Sequence, residues 1–345
     1  MKVPSVSVVI PCRNEEGFIS DCLLSIINSD FDENDLEILI VDGNSDDKTV
    51  EIVKNLAVKY PFIKLFNNPD KVVPHAMNIG IKNANGKIIV RMDAHSIYPN
   101  NYISELVLWM EKLGADNIGG VWDTTAANSS LQATTIALST SHKFGIGDAQ
   151  YRLEQTEPLE VDTVPFGCYK KEVFENIGFY DEDLVRNQDD ELNARLIQNG
   201  GKIFLLPDLK ITYFARATFS KMYKMFYQYG YFKPLVNLKL KKPATLRQFV
   251  PPIFVLFLVL GMFISLGFTP FIYFYIFGLS LYFSINLLVS FKISKSENNL
   301  MLFPFLVYSF FLIHLAYGVG YWMGIVDFVI RKKHTKNKIN IQLSR

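Results

Sequence analysis

The apolar run Lys87-Ile-Ile-Val-Arg-Met-Asp-Ala-His95 closes on a carboxylate and an imidazole separated by one residue. Alternate residues at a strand end point the same way, so Asp93 and His95 can share one target. Such a pair suits a divalent cation whose other positions are filled by water and phosphate oxygens. The same residues also read as a helix N-cap beside a loop histidine, and the tripeptide alone leaves both readings open. Val8-Val-Ile-Pro-Cys-Arg-Asn-Glu-Glu16 is a second strand end. A dinucleotide-binding fold would put a glycine-rich turn there, for phosphate at a helix N-terminus. This segment instead offers polar side chains to a nucleobase or ribose. Ile40-Val-Asp-Gly-Asn-Ser-Asp-Asp47 is a third. Asn44, Ser45 or Asp46 would cap the next helix, which leaves Asp42 free to accept from a base or a ribose hydroxyl.

The elements that must hold these residues alternate. Short apolar runs predict strands at Ser5–Ile10, Leu36–Val41, Phe62–Phe66, Lys87–Met92 and Asn117–Val121. Helical patterns lie between them at Gly17–Asn28, Asp46–Lys59, His75–Asn83 and Asn100–Lys112. That alternation predicts an α/β domain, a parallel sheet with helices on both faces, whose ligands bind beyond the carboxyl ends of the strands. A second set follows: a strand at Val161–Phe166, helices near Lys171–Ile177 and Asp189–Asn199, and a strand at Lys202–Leu206. Residues 124–165 are less regular, with Phe144-Gly-Ile-Gly147 as a loop.

The C-terminal third has a different solvent. No charged residue occurs from Gln248 to Phe291, nor again from Asn298 to Val326. A span needs ~20 apolar residues, so the first stretch accommodates two helices turning at Gly267-Phe-Thr-Pro270. The expected division is a soluble domain over 1–217, an interfacial amphipathic segment over 218–246, spans near 250–268, 271–291 and 301–326, and a basic tail over 331–345. Phe219–Leu240 mixes aromatics and lysines without an acid, as suits a helix at an anionic membrane surface. His314, mid-stretch, reads as a neutral side chain bonded to a neighbouring helix, and Asp327 as interfacial. Three crossings would put Arg331, Lys332, Lys333, Lys336 and Lys338 opposite the soluble domain, against the positive-inside tendency. The last stretch therefore either stops short of crossing or crosses twice.

The formal charge of +1 is uninformative about partners, and no nucleic acid is expected. The N-terminus has no apolar signal core, and Cys12, Cys22 and Cys168 form neither a disulfide framework nor a metal spacing. Together these point to a soluble part in the reducing cytoplasm, on a multi-pass protein of the cell inner membrane.

The motif order resembles the family 2 glycosyltransferases, which adopt the GT-A nucleotide-diphospho-sugar transferase fold. The resemblance rests on the three strand ends, on Ala76-Met-Asn-Ile-Gly80 with Asn85-Gly86, and on Val164-Pro-Phe-Gly-Cys-Tyr-Lys-Lys-Glu-Val-Phe174. It continues through Gly178-Phe-Tyr-Asp181 and Arg186-Asn-Gln-Asp-Asp-Glu-Leu-Asn-Ala-Arg195. It covers about 5–240 and is closest to the succinoglycan-type exopolysaccharide branch.

The resemblance implies roles. Pro11, Arg13 and Glu15 match nucleotide-contacting positions, and Asp42 the base or ribose acceptor. Asp93 and His95 match the metal-binding pair, with His where a second Asp is usual. The implied cofactor is a divalent cation, Mn²⁺ or Mg²⁺, with a hypothetical tilt toward Mn²⁺. Asp189 matches the inverting general base, and the run of acids leaves Asp190 as an alternative by one position; either also suits a helix N-terminus. The implied activity transfers sugar from a nucleotide-sugar donor, UDP-linked by expectation, to a lipid-linked saccharide at the membrane. Direct transfer to polyprenyl phosphate is the alternative. Gln228-Tyr-Gly-Tyr-Phe232 lacks the Arg-Trp of processive synthases, which favours single-sugar addition. A nicotinamide dehydrogenase is disfavoured by the missing glycine fingerprint, and a non-catalytic scaffold by the retained Asp42, Asp93, His95 and Asp189.

Overall fold

The structure, a computed structural model, describes residues 4–153, 155–243 and 245–333. Two compact units emerge, one of residues 1–123 with 154–213, the other of 124–153 with 214–345. The expected tail lies almost wholly outside the described residues.

The first unit opens with β1 (Val6–Cys12), α1 (Ile19–Ile27), β2 (Leu36–Asp42), α2 (Thr49–Lys59), β3 (Ile63–Asn67), α3 (Val73–Asn83), β4 (Ile88–Arg91), α4 (Tyr102–Leu113) and β5 (Asn117–Thr125). After α5 (Leu131–Thr140) and α6 (Lys143–Ile146) of the second unit come β6 (Leu159–Glu160), β7 (Cys168–Lys170), α7 (Lys171–Ile177), α8 (Gln188–Gln198) and β8 (Ile203–Phe214). The sheet order is β3-β2-β1-β4-β7-β5-β8-β6. β1 pairs in parallel with β2 and β4, and β2 with β3. β1, β2 and β4 are largely buried on both faces and rich in Val, Ile and Leu, whereas the edge strand β3 exposes Lys64 and Asn67.

Three expectations change. Phe144-Gly-Ile-Gly147, expected as a loop, is the one-turn helix α6 as far as Ile146. The sheet is mixed, because β7 runs antiparallel to both β4 and β5, and β6 antiparallel to β8. Three-residue β7 slips between β4 and β5, a non-local pairing that no local pattern encodes. Val161–Phe166 forms no strand; strands flank it as β6 and β7 instead. Pro165 offers no N–H there and Phe166 sits at φ 49°, so a ladder cannot run through.

Chain order reverses between β1 and β4, so the crevice beyond their carboxyl ends is the topological switch point. Beneath it lies a buried polar brace. Glu37 on β2 accepts from Ser7 Oγ (2.6 Å), Lys64 Nζ (2.7 Å), Asn85 N (2.6 Å) and Asn85 Nδ2 (3.1 Å). Gly86 N donates to Ser7 Oγ at 2.8 Å, and a Cβ at Gly86 would stand 2.7 Å from the backbone of Val6 and Ser7. Asn85-Gly86 is thus a packing device that holds the entry of β4 against β1.

The second unit holds α9 (Phe219–Leu240), α10 (Val250–Gly267), α11 (Phe271–Ser296) and α12 (Leu302–Gly324), which continues as a π-helical segment, Ile325–Ile330. Three helices among the described residues are long and apolar enough to cross a membrane: Arg247–Gly267, Phe271–Ser296 and Leu302–Ile330. α10 and α11 form a hairpin. Phe254 stacks on Tyr282 (4.3 Å), and Tyr275 Oη donates to the Leu258 carbonyl (3.0 Å). His314 meets Tyr282 Oη at 2.8 Å through Nδ1 and the Phe144 carbonyl at 2.7 Å through Nε2. A carbonyl only accepts, so Nε2 carries the proton and neutral Nδ1 accepts from Tyr282.

Candidate active site

The loops that follow β1 and β2 are stitched to one another. Asn14 N donates to Ser45 Oγ (2.8 Å), Glu15 N to Thr49 Oγ1 (2.8 Å), Asp46 N to Asn14 Oδ1 (3.0 Å) and Lys48 N to Glu16 Oε2 (3.0 Å). Asn14 and Asn44 adopt positive φ (56° and 55°), which Asn tolerates better than most residues. Two details differ from expectation. Asp42 is not left free: Ser45 donates to it through N (3.0 Å) and Oγ (2.5 Å), and it is only 5% exposed. Asp47, rather than residues 44–46, meets the start of α2, accepting from Thr49 N at 2.9 Å. The physical reason is competition. A short hydroxyl three residues on reaches the Asp42 carboxylate locally, before any ligand does. Pro11 is half-buried at the end of β1, and Arg13 is exposed in the loop beyond it.

At the end of β4 the backbone of Asp93 is pinned. Its N–H donates to Tyr98 Oη at 2.7 Å, and its carbonyl accepts from Cys22 Sγ at 3.5 Å. Tyr98 is buried, and burial raises its phenol well above the ordinary value, so it stays a neutral hydrogen-bonding group. The carboxylate then faces an imidazole and a guanidinium. Asp93 Oδ2 lies 3.5 Å from His95 Nε2, and Oδ1 lies 3.4 Å from Arg91 Nη2. His95 Nδ1 meets Glu15 Oε1 at 3.3 Å, so Glu15 turns toward His95. Burial also pushes the Cys12, Cys22 and Cys168 thiols far up, so none is a nucleophile at neutral pH.

α8 delivers the acids. Asn193, fully buried, accepts from Asn117 Nδ2 (2.9 Å) and Tyr169 Oη (3.0 Å) and donates to Thr163 Oγ1 (2.8 Å). That fixes the rotation of the helix. Asp189, one turn earlier on the same face, is directed into the site. There it pairs with Arg91 Nη1. Burial raises the Asp189 carboxyl above its usual range; Arg91 opposes this, while Asp190 and Asp93 add to it. Glu191 is committed elsewhere, bridged to Arg195 through Nε (2.9 Å) and Nη2 (2.8 Å).

Asp93 and Asp189 are therefore gathered around one buried guanidinium, and His95 meets the other oxygen of Asp93. Arg91 itself was not among the residues singled out from sequence. Its signal was its place on the strand of Asp93, two residues earlier and pointing the same way. The donor types suit a divalent cation, because one carboxylate and one imidazole face each other at 3.5 Å. Among the described residues no group of three or more His, Cys, Asp or Glu side chains is arranged to hold a metal.

Residues 7–178 match the family described as Glycosyl transferase family 2. The chain is a family 2 glycosyltransferase. A *Methanococcus voltae* relative is 29% identical over 329 residues, covering 93% of this chain and 97% of its own. That protein is named dolichyl N-acetyl-alpha-D-glucosaminyl phosphate 3-beta-D-2,3-diacetamido-2,3-dideoxy-beta-D-glucuronosyltransferase. The succinoglycan biosynthesis protein ExoA of *Rhizobium meliloti* is 28% identical, over 71% of this chain and 73% of its own. Among solved structures, the mannosyltransferase PcManGT from *Pyrobaculum calidifontis*, in complex with GDP-Man and Mn²⁺, aligns with TM-score 0.59. It covers 92% of this chain and 88% of its own at 16% identity, which shows a shared fold. The glycosyltransferase domain is thus of the GT-A type, followed by helices three of which suit a membrane.

Proposed function

We propose that this glycosyltransferase moves one sugar from a nucleotide-diphospho-sugar to a polyprenyl-diphosphate-linked saccharide at the cytoplasmic face of a membrane, with inversion at the anomeric carbon. The observation that carries the proposal is the pairing of Arg91 with both Asp93 and Asp189, with His95 against the other oxygen of Asp93, at the switch point of the sheet. Supporting it, one relative is named for transfer to a dolichyl-linked N-acetylglucosaminyl phosphate and another for succinoglycan biosynthesis.

The mechanism follows from the residues. Arg13, in the loop after β1, and Asp42, the last residue of β2, hold the nucleoside; Asp42 exchanges its Ser45 bond for the ligand or accepts beside it. Asp93 and His95 would hold a divalent cation, which when bound neutralises charge on the departing nucleoside diphosphate, so no acid is needed there. Asp189 takes the proton from the acceptor hydroxyl as that oxygen attacks the anomeric carbon. A carboxyl raised by burial is a better proton acceptor than an exposed one, and Arg91 keeps it ionised and aimed. Asp190, one residue on, points roughly a quarter-turn away.

Supplying purified membranes with a nucleotide-sugar panel and two acceptors, polyprenyl phosphate and polyprenyl-diphosphate-linked saccharide, tests the reading. An extended lipid-linked oligosaccharide is the expected product. A monosaccharyl lipid would instead establish direct transfer to polyprenyl phosphate.

A further inference from the structure

α12 is as apolar and as long as a span, yet its surroundings are unlike those of α10 and α11. Within the most apolar window, 6% of α11 and 17% of α10 are covered by protein, against 39% of the segment containing α12. The cover is informative because of the elements that supply it, α9 and α5, whose sequences also carry lysines and hydroxyls.

α9 runs alongside α12 in the same direction. Phe219 rings lie against Tyr308 (5.0 Å) and Phe305 (6.5 Å), and Met222 Sδ accepts from Ser309 Oγ at 3.5 Å. Further on, glycines bring the backbones together: Gly230 against Tyr317, Gly320 against Tyr227, and Gly324 against Tyr231. Tyr231 then reaches Asp327, donating to Oδ2 at 2.8 Å. At 1.5 Å per residue this contact is about 18 Å long. Lys224 sits between the level of Ser309 and that of Tyr317, the middle of α12, with Lys221 before it and Lys233 after it. A helix carrying lysines at those levels does not run upright through hydrocarbon.

A second element gives the same depth independently. Ser139 at the end of α5 bonds Ser309 (2.6 Å). The ring of His142 lies 5.8 Å from that of Phe310, and the Phe144 carbonyl accepts from His314. The short segment around His142, Lys143 and Phe144 therefore reaches α12 near its midpoint, and Asp148, four residues on, pairs with Arg247 at 2.7 Å. Irregular, charged backbone at that level belongs to the interface and not to the bilayer centre.

We infer that α12 lies in the membrane interface with α9 and α5, and that α10–α11 alone crosses, so that the end of α12 stays on the side of the catalytic unit. This rests on the membrane reading of the proposed function and refines it. Charge agrees. Lys241, Lys242 and Arg247 precede the hairpin and Lys292 and Lys295 close it, while its tip, Gly267–Pro270, carries none. Arg331, Lys332 and Lys333 then join the basic side, which removes the conflict with the positive-inside tendency.

The test is labelling of single cysteines with a membrane-impermeant maleimide in sealed vesicles of both orientations, against a control without added cysteine. One cysteine replaces Thr269 at the hairpin tip, and another is appended after Arg345. The native Cys12, Cys22 and Cys168 are buried. The expected result is Thr269→Cys labelled only from the face opposite the catalytic unit, and the appended cysteine only from the catalytic face. Labelling of the appended cysteine from the opposite face overturns the inference. So does a Thr269→Cys variant that labels from the catalytic face. Protein released by carbonate washing would refute the membrane reading itself, a separate outcome.

Discussion

The Arg91 guanidinium stands between two carboxylates, Asp189 on Nη1 and Asp93 on Nη2. One lies just beyond the end of β4 and the other in the first turn of α8. Arg91 is 6% exposed, and its own affinity for the proton is raised well above normal because both acids outweigh its burial. It cannot lose its charge, so it fixes the spacing of the two carboxylates.

Removing the proposed base is the plainest consequence. Asp189→Asn preserves shape and should lower kcat by ~10²–10⁴-fold with the fold intact. Asp190→Asn should cost far less. Steady-state rates for both variants assign the base between them, and the reverse order would move it to Asp190.

Arg91 should reveal itself in pH. Burial raises the Asp189 carboxyl and Arg91 holds it down, so Arg91→Met should raise it further. The active form of a base is deprotonated, and the acid limb of kcat/KM should therefore shift to higher pH, with Arg91→Lys shifting it less. An unchanged limb with a merely lower rate would make Arg91 structural only.

For the cation, chelation or Asp93→Ala should reduce turnover by on the order of 10²-fold or more. His95→Asp should move preference from Mn²⁺ toward Mg²⁺, since a second oxygen replaces nitrogen. Rates in the two metals check this. Equal or better wild-type rates in Mg²⁺ would remove the Mn²⁺ tilt.

The Glu37 brace predicts a stability effect. Burial alone would raise this carboxyl, but bonds from Lys64, Ser7 and Asn85 outweigh it and hold it below the usual range. A depressed folded value means the stabilisation is present above the unfolded value of ~4.3 and lost as pH falls through the folded value. Glu37→Gln should therefore cost ~2 kcal/mol at neutral pH. That difference should shrink on acidification below pH ~4.3. Thermal unfolding in detergent across pH measures it.

Much of this was legible in sequence, for identifiable reasons. Strands β1 to β4 are local apolar runs, and the α10–α11 turn is marked by Gly267 and Pro270, so both follow from pattern. The alternate spacing of Asp93 and His95 placed them together. What pattern did not give was long-range. β7 pairs with strands on both sides from three residues, and Phe166 breaks the expected strand through its backbone angle. Arg91 matters because α8, nearly a hundred residues later, brings Asp189 to it. Ser45 satisfies Asp42 through a local turn whose geometry, not its residue types, decides which partner wins.

The most direct test of the central claim is transfer of labelled sugar from a nucleotide-sugar panel to membrane-bound acceptor, comparing wild type, Asp93→Ala and Asp189→Asn. The account predicts that wild type converts one donor into a lipid-linked oligosaccharide and that both variants bind membranes normally but fail to transfer. Transfer that survives the loss of Asp93 and Asp189 would contradict it.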